Sequence, residues 1–327
     1  MKRILLLTLG VSLFATAAFA DLEGAWTASA EDKRPDRIYM NITRGMHNNM
    51  GNTMRLSDFA DLTRAQIDAA TMTPVQFQMR REAGTIAFEG TFRRGKGAGQ
   101  FTFTPNRGYI DAVRALGVPF DLQHHNRRRE HTEKEDLFAL ALHDVSTAFI
   151  KQMQAEGFKV SLEKYLEMRI FDITPEYIRE MRSLGFKNID DDELVASKIH
   201  RVTPDYVRQM RAAGWDLSLD DLQSSRIHGA TPEFAAEMKK LGYSLDFDDL
   251  VSFRIHRVTA EFINELRQLG YDHVSADDLV SMRIHRVTPE FIRELKAAGY
   301  SNVPVEKLVS MRIHKIDAEY LKRMGNS

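Results

Sequence analysis

The sequence predicts an α+β chain in two parts. An N-terminal antiparallel β-sheet, sandwich or open barrel comes first, and an αα-repeat solenoid follows. Three observations predict this. A phrase anchored at Ser146, Thr174, Thr203, Thr231, Thr259, Thr288 and Asp317 returns every 28 or 29 residues, a period that marks a repeat array. Residues 21–105 instead alternate apolar and polar positions with period two, the pattern of half-buried antiparallel strands. The chain has no cysteine, so both parts must be held by core packing and not by disulfides.

In chain order, residues 1–20 read as a secretory signal peptide. Lys2 and Arg3 form the charged start, Ile4 to Phe14 the apolar stretch, and Ala18-Phe19-Ala20 the small-residue site, with cleavage expected after Ala20. Location is therefore periplasmic or secreted. No later apolar run is long enough to span a bilayer, so stable membrane insertion after cleavage is not expected. Net charge is −1 with 28% charged residues, which gives no global pull toward nucleic acid or anionic lipid.

Residues 21–118 form the expected β-rich domain. Ile38, Met40 and Ile42 alternate with Tyr39, Asn41 and Thr43. Val75, Phe77 and Met79 do the same, as do Ile86 and Phe88, and Phe101 and Phe103. Trp26 sits on an early strand, and five to six strands are expected in all. Ser57–Ala70 interrupts them with a short helix that Thr63 can cap, and a helix over 107–116 ends at Gly117. Residues 119–135 read as a charged linker containing Arg127-Arg128-Arg129.

Residues 136–327 form the expected repeat array. In each unit a Thr N-cap (Thr174, Thr203, Thr231, Thr259, Thr288) opens a first helix, usually with Pro at its first position. The helix ends at Gly185, Gly214, Gly242, Gly270 or Gly299, followed by an aromatic residue. Gly there suits the left-handed C′ conformation, and the aromatic suits the apolar contact of a Schellman motif. A second helix starts at acidic pairs such as Asp277-Asp278, with Ser218 and Ser275 as caps, and ends at Arg-Ile-His. Leu279, Val280 and Ile284 give it an apolar stripe. Such short helices are marginal alone and must stack. The helix over 135–143 and the helix after Asp317 read as caps of the array.

The phrase Thr288-Pro289-Glu290-Phe291, Gly299-Tyr300, Leu308-Val309-Ser310-Met311-Arg312-Ile313-His314 resembles repeats of bacterial exported proteins. Similar repeats occur behind membrane-bound metallopeptidase sensors of the beta-lactam-sensor type. The stretches from Phe77 to Gly90 and from Gly97 to Phe103 are similar to sequences found in that context. The resemblance implies an envelope-facing accessory or sensory module and carries no activity with it. The peptidase is absent, since no His-Glu-x-x-His pair occurs.

Three patterns could carry chemistry. His143, His200, His228, His256, His285 and His314 recur, with Phe171 the one break. They can serve the helix end, respond to pH, or bind metal in pairs. Because an apolar ring replaces one of them, the structural use is the expectation. Ser224, Ser252, Ser281 and Ser310 each precede a His by four residues, the spacing of a nucleophile and base on one helix face. Four copies argue for a structural ladder and against a catalytic site. Arg226, Arg254, Arg283 and Arg312 are expected to pair with acids of neighbouring units. His47 among Met46 and Met50, and His124, His125 and His131, are weaker metal candidates. No catalytic, cofactor or metal residues are expected. The expected function is a non-enzymatic envelope interaction or scaffold module whose partner is another envelope protein or peptide. The alternative is a sensory module whose β domain binds a small ligand or metal ion.

Overall fold

The structure is a computed structural model that describes residues 22–31, 33–44, 48–122 and 132–325. The expected signal peptide, His47, and the linker histidines His124, His125 and His131 lie outside the described residues. Contacts group the chain into two compact units, one ending at Ile170 and one beginning at Phe171.

The first unit is built on a six-stranded antiparallel sheet. Its strands are β1 (Leu22–Ala30), β2 (Arg37–Arg44), β3 (Asn48–Arg55), β4 (Thr73–Arg81), β5 (Gly84–Arg93) and β6 (Lys96–Pro105), in the order β3-β2-β1-β6-β5-β4. Two meanders thus join through the β1–β6 pair. The alternating residues lie as the period requires: Ile38, Met40, Ile42, Phe77, Phe88, Phe101 and Phe103 are all buried. Strand β3 is one the alternation did not locate. Its sequence is rich in Asn and lies at an edge, where among the side chains described, Asn49–Arg55, only Met54 is buried, so it carries almost no hydrophobic period. Between β3 and β4, Thr63 caps the short helix α1 (Arg64–Asp68) in a capping box with Gln66.

Trp26 organises the sheet core. Its indole Nε1 donates to the carbonyls of Glu89 (3.1 Å) and Gln100 (3.0 Å). These belong to β5 and β6, flanking the pair Gly90–Gly99. The glycines let the backbones approach: a Cβ on Gly99 would lie 1.9 Å from the Glu89 carbonyl oxygen. The indole ring packs on Phe77 and Phe92, each with ring centroids 5.4 Å away.

Four helices complete this unit: α2 (Gly108–Arg114), α3 (Glu133–Leu142), α4 (Thr147–Ala155) and α5 (Leu162–Ile170). Phe138 of α3 stacks on Phe101 at 5.4 Å and meets Phe103 edge-on at 5.3 Å. Arg44 of β2 pairs with Glu135 at 2.8 Å. Tyr109 of α2 donates to the Val145 carbonyl at 2.5 Å, and Gln154 of α4 donates to the Leu116 carbonyl at 3.1 Å. The first helices of the array therefore share their core with the sheet. On the N-terminal side of the expected linker, Val118 and Leu122 are buried.

The second unit is a stack of helical hairpins. Its first-type helices are α6 (Pro175–Ser183), α8 (Pro204–Ala212), α10 (Pro232–Lys240), α12 (Ala260–Gln268), α14 (Pro289–Ala297) and α16 (Ala318–Gly325). Its second-type helices are α7 (Asp191–Ile199), α9 (Leu219–His228), α11 (Phe247–Ile255), α13 (Ala276–Ile284) and α15 (Val305–Ile313). Like packs beside like: α12 on α14 and α14 on α16, α9 on α11, α11 on α13 and α13 on α15. The core is continuous from Ala230 to Ala318 and includes Phe253, Met282 and Leu295.

The helix ends follow from their residues. Thr174, Thr203, Thr231, Thr259 and Thr288 each accept a hydrogen bond from the backbone N–H three residues on. Gly185, Gly214, Gly242, Gly270 and Gly299 all take positive φ, between 87° and 100°. The amide of the following aromatic reaches back to the helix, as from Tyr271 to the Leu266 carbonyl at 3.0 Å, which is the outer bond of the Schellman motif.

The glycine pair beneath Trp26 gives a direct test. Gly99→Ala forces a methyl into the Glu89 carbonyl, and the expected loss is roughly 3 kcal/mol of stability, at the upper end for overpacking. Chemical denaturation of the full chain measures it, and an unchanged midpoint contradicts the account.

Candidate binding surface

Each second-type helix ends in a way the sequence only half revealed. His143, His200, His256, His285 and His314 are C-cap residues, and His228 is the last helical residue before Gly229. The residue after each is left-handed: Asp144, Arg201, Gly229, Arg257, Arg286 and Lys315 have φ between 54° and 73°. A non-glycine residue pays about 1–2 kcal/mol for that conformation. The Schellman bonds it permits repay part of the cost. The Val258 amide reaches the Phe253 carbonyl at 2.8 Å and the Arg257 amide the Arg254 carbonyl at 3.2 Å. The turn buries Val258 and Phe253 side by side.

Among the described residues Arg226, Arg254, Arg283 and Arg312 form none of the ion pairs with acids of neighbouring units that their spacing had suggested. The Arg226 charge does help, after the Thr231 hydroxyl, to hold the Glu233 carboxyl below its usual range. Arg226, Arg254 and Arg283 donate from Nε to the backbone carbonyls of Arg201, His228 and His256, at 3.1, 3.3 and 3.2 Å. Each acceptor lies at the end of the preceding second-type helix, where the helix dipole is negative and carbonyls lack intrahelical partners. The same guanidinium covers the aromatic residue of its own hairpin: Arg226 over Tyr206 at 4.3 Å, Arg254 over Phe234 at 4.7 Å, Arg283 over Phe262 at 4.9 Å, Arg312 over Phe291 at 5.0 Å. Arg169 repeats both contacts within the first unit, with His143 and Phe149. Where the turn after the helix end supplies an acid the cation uses it as well, Arg169 meeting Asp144 at 3.2 Å and Lys198 meeting Asp172 at 4.0 Å. Where that turn residue is Arg or Gly, backbone carbonyl and ring face remain. A second staple runs along the first-type helices, from Arg211 to the Leu184 carbonyl and from Arg267 to the Leu241 carbonyl.

The serine–histidine spacing is a helical bond and not a side-chain pair. The His256, His285 and His314 amides donate to the carbonyls of Ser252, Ser281 and Ser310 at 2.9, 3.0 and 3.0 Å. Among the described residues no side-chain hydrogen bond joins these serines to their histidines. Among the described residues, too, no three His, Asp or Glu side chains converge as a metal set. A different serine is buried: Ser225 bonds Tyr206 and donates to the Ala230 carbonyl at 2.8 Å. Tyr at that aromatic position is buried in the two hairpins with a buried Ser opposite, Ser197 and Ser225, and is exposed as Tyr320 in the last helix.

The surface of these helix ends carries a row of isoleucines. Ile199, Ile227, Ile255, Ile284 and Ile313 are 51, 57, 50, 51 and 53% exposed. Ile170 holds the same place in the first unit, at 48%. Ile284 therefore does not join the apolar stripe expected of its helix. Leu279 and Met282 face the core, and at 3.6 residues per turn Ile284 points about 140° away from Leu279. That angle was the available signal. Within the second unit the arginine staples tie the ends of α7, α9, α11 and α13 to one another, so Ile199, Ile227, Ile255 and Ile284 follow along one ridge. Ile313 of α15 continues it, although Arg312 Nε is buried without a hydrogen-bond partner. Exposed Arg201, Arg257, Arg286 and Lys315 follow them two residues on, and among the described residues none of these four has an ion-pair partner.

The hairpin stack also departs from regularity once. In α10, Ala235 and Ala236 stand where α14 has Ile292 and Arg293. An opening of about 360 Å³ lies there, beside Trp215, Lys239 and Tyr243. On the sheet, the openings lie against its polar strand positions, including Gln76, Glu89 and Gln100. The interior beneath is filled by Trp26, Phe77, Phe88 and Phe92 in mutual ring contact.

Two variants test these ends. Arg283→Ala is expected to cost about 1–2 kcal/mol. Arg283→Lys is expected to cost less, because Lys198 keeps the ring contact at its own position, 4.2 Å above Tyr177. Equal losses from both, by urea denaturation, would remove the ring contact from the account. His143 titrates abnormally: burial first, then the Arg169 charge, lower it from 6.5 to about 4. Its neutral form is the one the fold prefers, so as pH falls below 6.5 the unfolded chain takes up the proton first. Stability is then lost down to about pH 4, by on the order of 2–3 kcal/mol. His143→Phe, the residue already present as Phe171, should flatten that dependence between pH 7 and 4.5. A variant with the wild-type slope contradicts the assignment.

Compared with family models, with curated proteins and with solved structures, the chain has no match, and its function is argued from its own residues.

Proposed function

We propose that this chain is a non-enzymatic interaction module of the bacterial envelope, in which stacked helical hairpins present a binding surface to another protein. The observation that carries the proposal is the isoleucine ridge. An isoleucine half in water recurs at the second-type helix ends from Ile170 to Ile313, whereas Leu142 at the end of α3 is buried. The buried position two residues earlier varies among Met168, Ser197, Ser225, Phe253 and Met282. Packing does not need an identical residue at the exposed site more than at the buried one. Scattered exposed apolar residues are ordinary, but a contiguous row of them marks an interaction site. Stacked repeats commonly build such extended surfaces.

The charged and apolar start of the sequence, with its small-residue site at Ala18-Phe19-Ala20, supports export to the periplasm or beyond. The absence of cysteine from this chain is compatible with that compartment. Among the described residues no helix is long and apolar enough to cross a membrane. The resemblance of the repeats to those of exported bacterial proteins supports the same reading. A ligand-sensing role for the β part would call for an enclosed apolar pocket, and its interior is occupied by aromatic rings.

Site-specific photo-crosslinking of the full chain in intact cells tests this. Photoreactive residues at Ser281 and Arg286 are expected to join one defined protein, whereas residues at Gln76 and Gln100 on the sheet are not. Crosslinks confined to the sheet positions, or none from the hairpins, would overturn the proposal.

A further inference from the structure

We infer that the isoleucine ridge receives an acidic amphipathic α-helix of a partner protein, with aliphatic residues repeating every seven positions. The inference rests on the binding reading above and adds the chemistry of the partner.

Spacing sets the shape of the occupant. Neighbouring second-type helices pack side by side, and helix axes at such contacts are about 8–10 Å apart. The Nε bonds between successive helix ends hold the isoleucines level, so one follows another at about that step. A helix laid along the ridge advances ~10.5 Å in seven residues, which matches. A strand presents one face every ~7 Å, or ~13 Å when every second such residue is used, and matches neither way.

Charge sets its sign. Arg257 and Arg286 lie exposed beside the ridge, held by their left-handed turns, with no ion pair among the described residues. The acids nearest in sequence at the next helix starts are partly consumed: Asp205 pairs with Arg208 at 2.6 Å and Glu290 with Arg293 at 2.9 Å. Arg257 and Arg286, beside the isoleucines, keep hydrogen-bonding capacity that complements carboxylates flanking an aliphatic seam. An anionic lipid surface fits less well. Exposed Glu233 and Glu261 alternate with the cations among the same turns, so the partner's carboxylates must fall on Arg257 and Arg286 in register, which a uniform anionic surface does not offer.

The test uses the full mature chain and a labelled synthetic helical peptide of about 30 residues, with Leu at every seventh position and Glu on either side. Its counterpart has Lys in place of Glu. By fluorescence anisotropy the acidic peptide is expected to bind at least about tenfold tighter than the basic one, and to weaken with salt. The triple variant Ile255→Ser, Ile284→Ser, Ile313→Ser is expected to lose about tenfold or more in affinity, with an unchanged melting temperature. The pair Arg257→Glu, Arg286→Glu should invert the preference between the two peptides. Equal binding of both peptides, no binding of the acidic one, or wild-type affinity in the triple variant overturns the inference. So does ridge-dependent binding to phosphatidylglycerol vesicles without peptide binding, or ridge-dependent self-association in sedimentation. If hairpin crosslinks in cells persist in the triple variant, this inference fails while the binding module stands. If no hairpin crosslinks form at all, the broader proposal fails as well.

Discussion

A nine-residue helix is mostly ends. Four N–H groups and four C=O groups lack intrahelical partners, and most helices of the second unit are nine residues long. Their stability depends on how those groups are met. At the N-terminus the answer is local, a Thr, Ser or Asp cap within the same helix. At the C-terminus part of the answer comes from the next hairpin, whose arginine reaches back to the open carbonyl. A terminus problem within one unit thereby becomes a bond between units. The guanidinium also lies over its own hairpin's aromatic ring, so one side chain ties first helix, second helix and preceding repeat together.

That arrangement divides the repeat into fixed and variable parts. The capping residues, the C-terminal cation and the aromatic beneath it recur because each answers a backbone requirement. Core side chains are free to exchange as long as volume and polarity are met in pairs. Tyr206 with Ser225, against Phe262 with Met282, shows the exchange: the buried phenol hydroxyl of Tyr206 meets the buried hydroxyl of Ser225, which in turn donates to the Ala230 carbonyl. The exposed isoleucines fit neither class. They satisfy no backbone group and lie outside the buried core, yet Ile stands at each of these helix ends from α5 to α15.

The sequence displayed the parts of the fold that obey a period or a cap. The strands from Ile38 to Ile42, Val75 to Met79 and Phe101 to Phe103, the Thr caps and the glycine ends were all readable there. Strand β3 was not, because Asn49 to Asn52 carries no buried face at a sheet edge. The left-handed turn after each histidine was hidden for another reason. Five of its six occupants are Asp, Arg or Lys, and only Gly229 announces the backbone requirement. The arginine contacts were misread because sequence spacing suggests charge pairs, while the real acceptors are carbonyls that every residue possesses and no sequence pattern displays. The candidate surface was legible in principle, since helical angle alone separates Ile284 from Leu279, but counting apolar residues had merged them.

The packing of Phe138 against Phe101 and Phe103 bears on how such an array is started. A terminal hairpin of any stack has one face with no neighbour, and a polar replacement of its core residues is the usual remedy. Here α3 instead buries Phe138, Leu137 and Leu140 with the sheet, while its C-terminal His143 carbonyl still accepts the arginine of α5. The sheet unit thus does for the first repeat what each repeat does for the next. It supplies a covered apolar face on one side and an open helix end on the other. On this view the β-domain is a template for the hairpins as well as a module in its own right. The exposed isoleucines of the second unit take no part in that covering of helix ends.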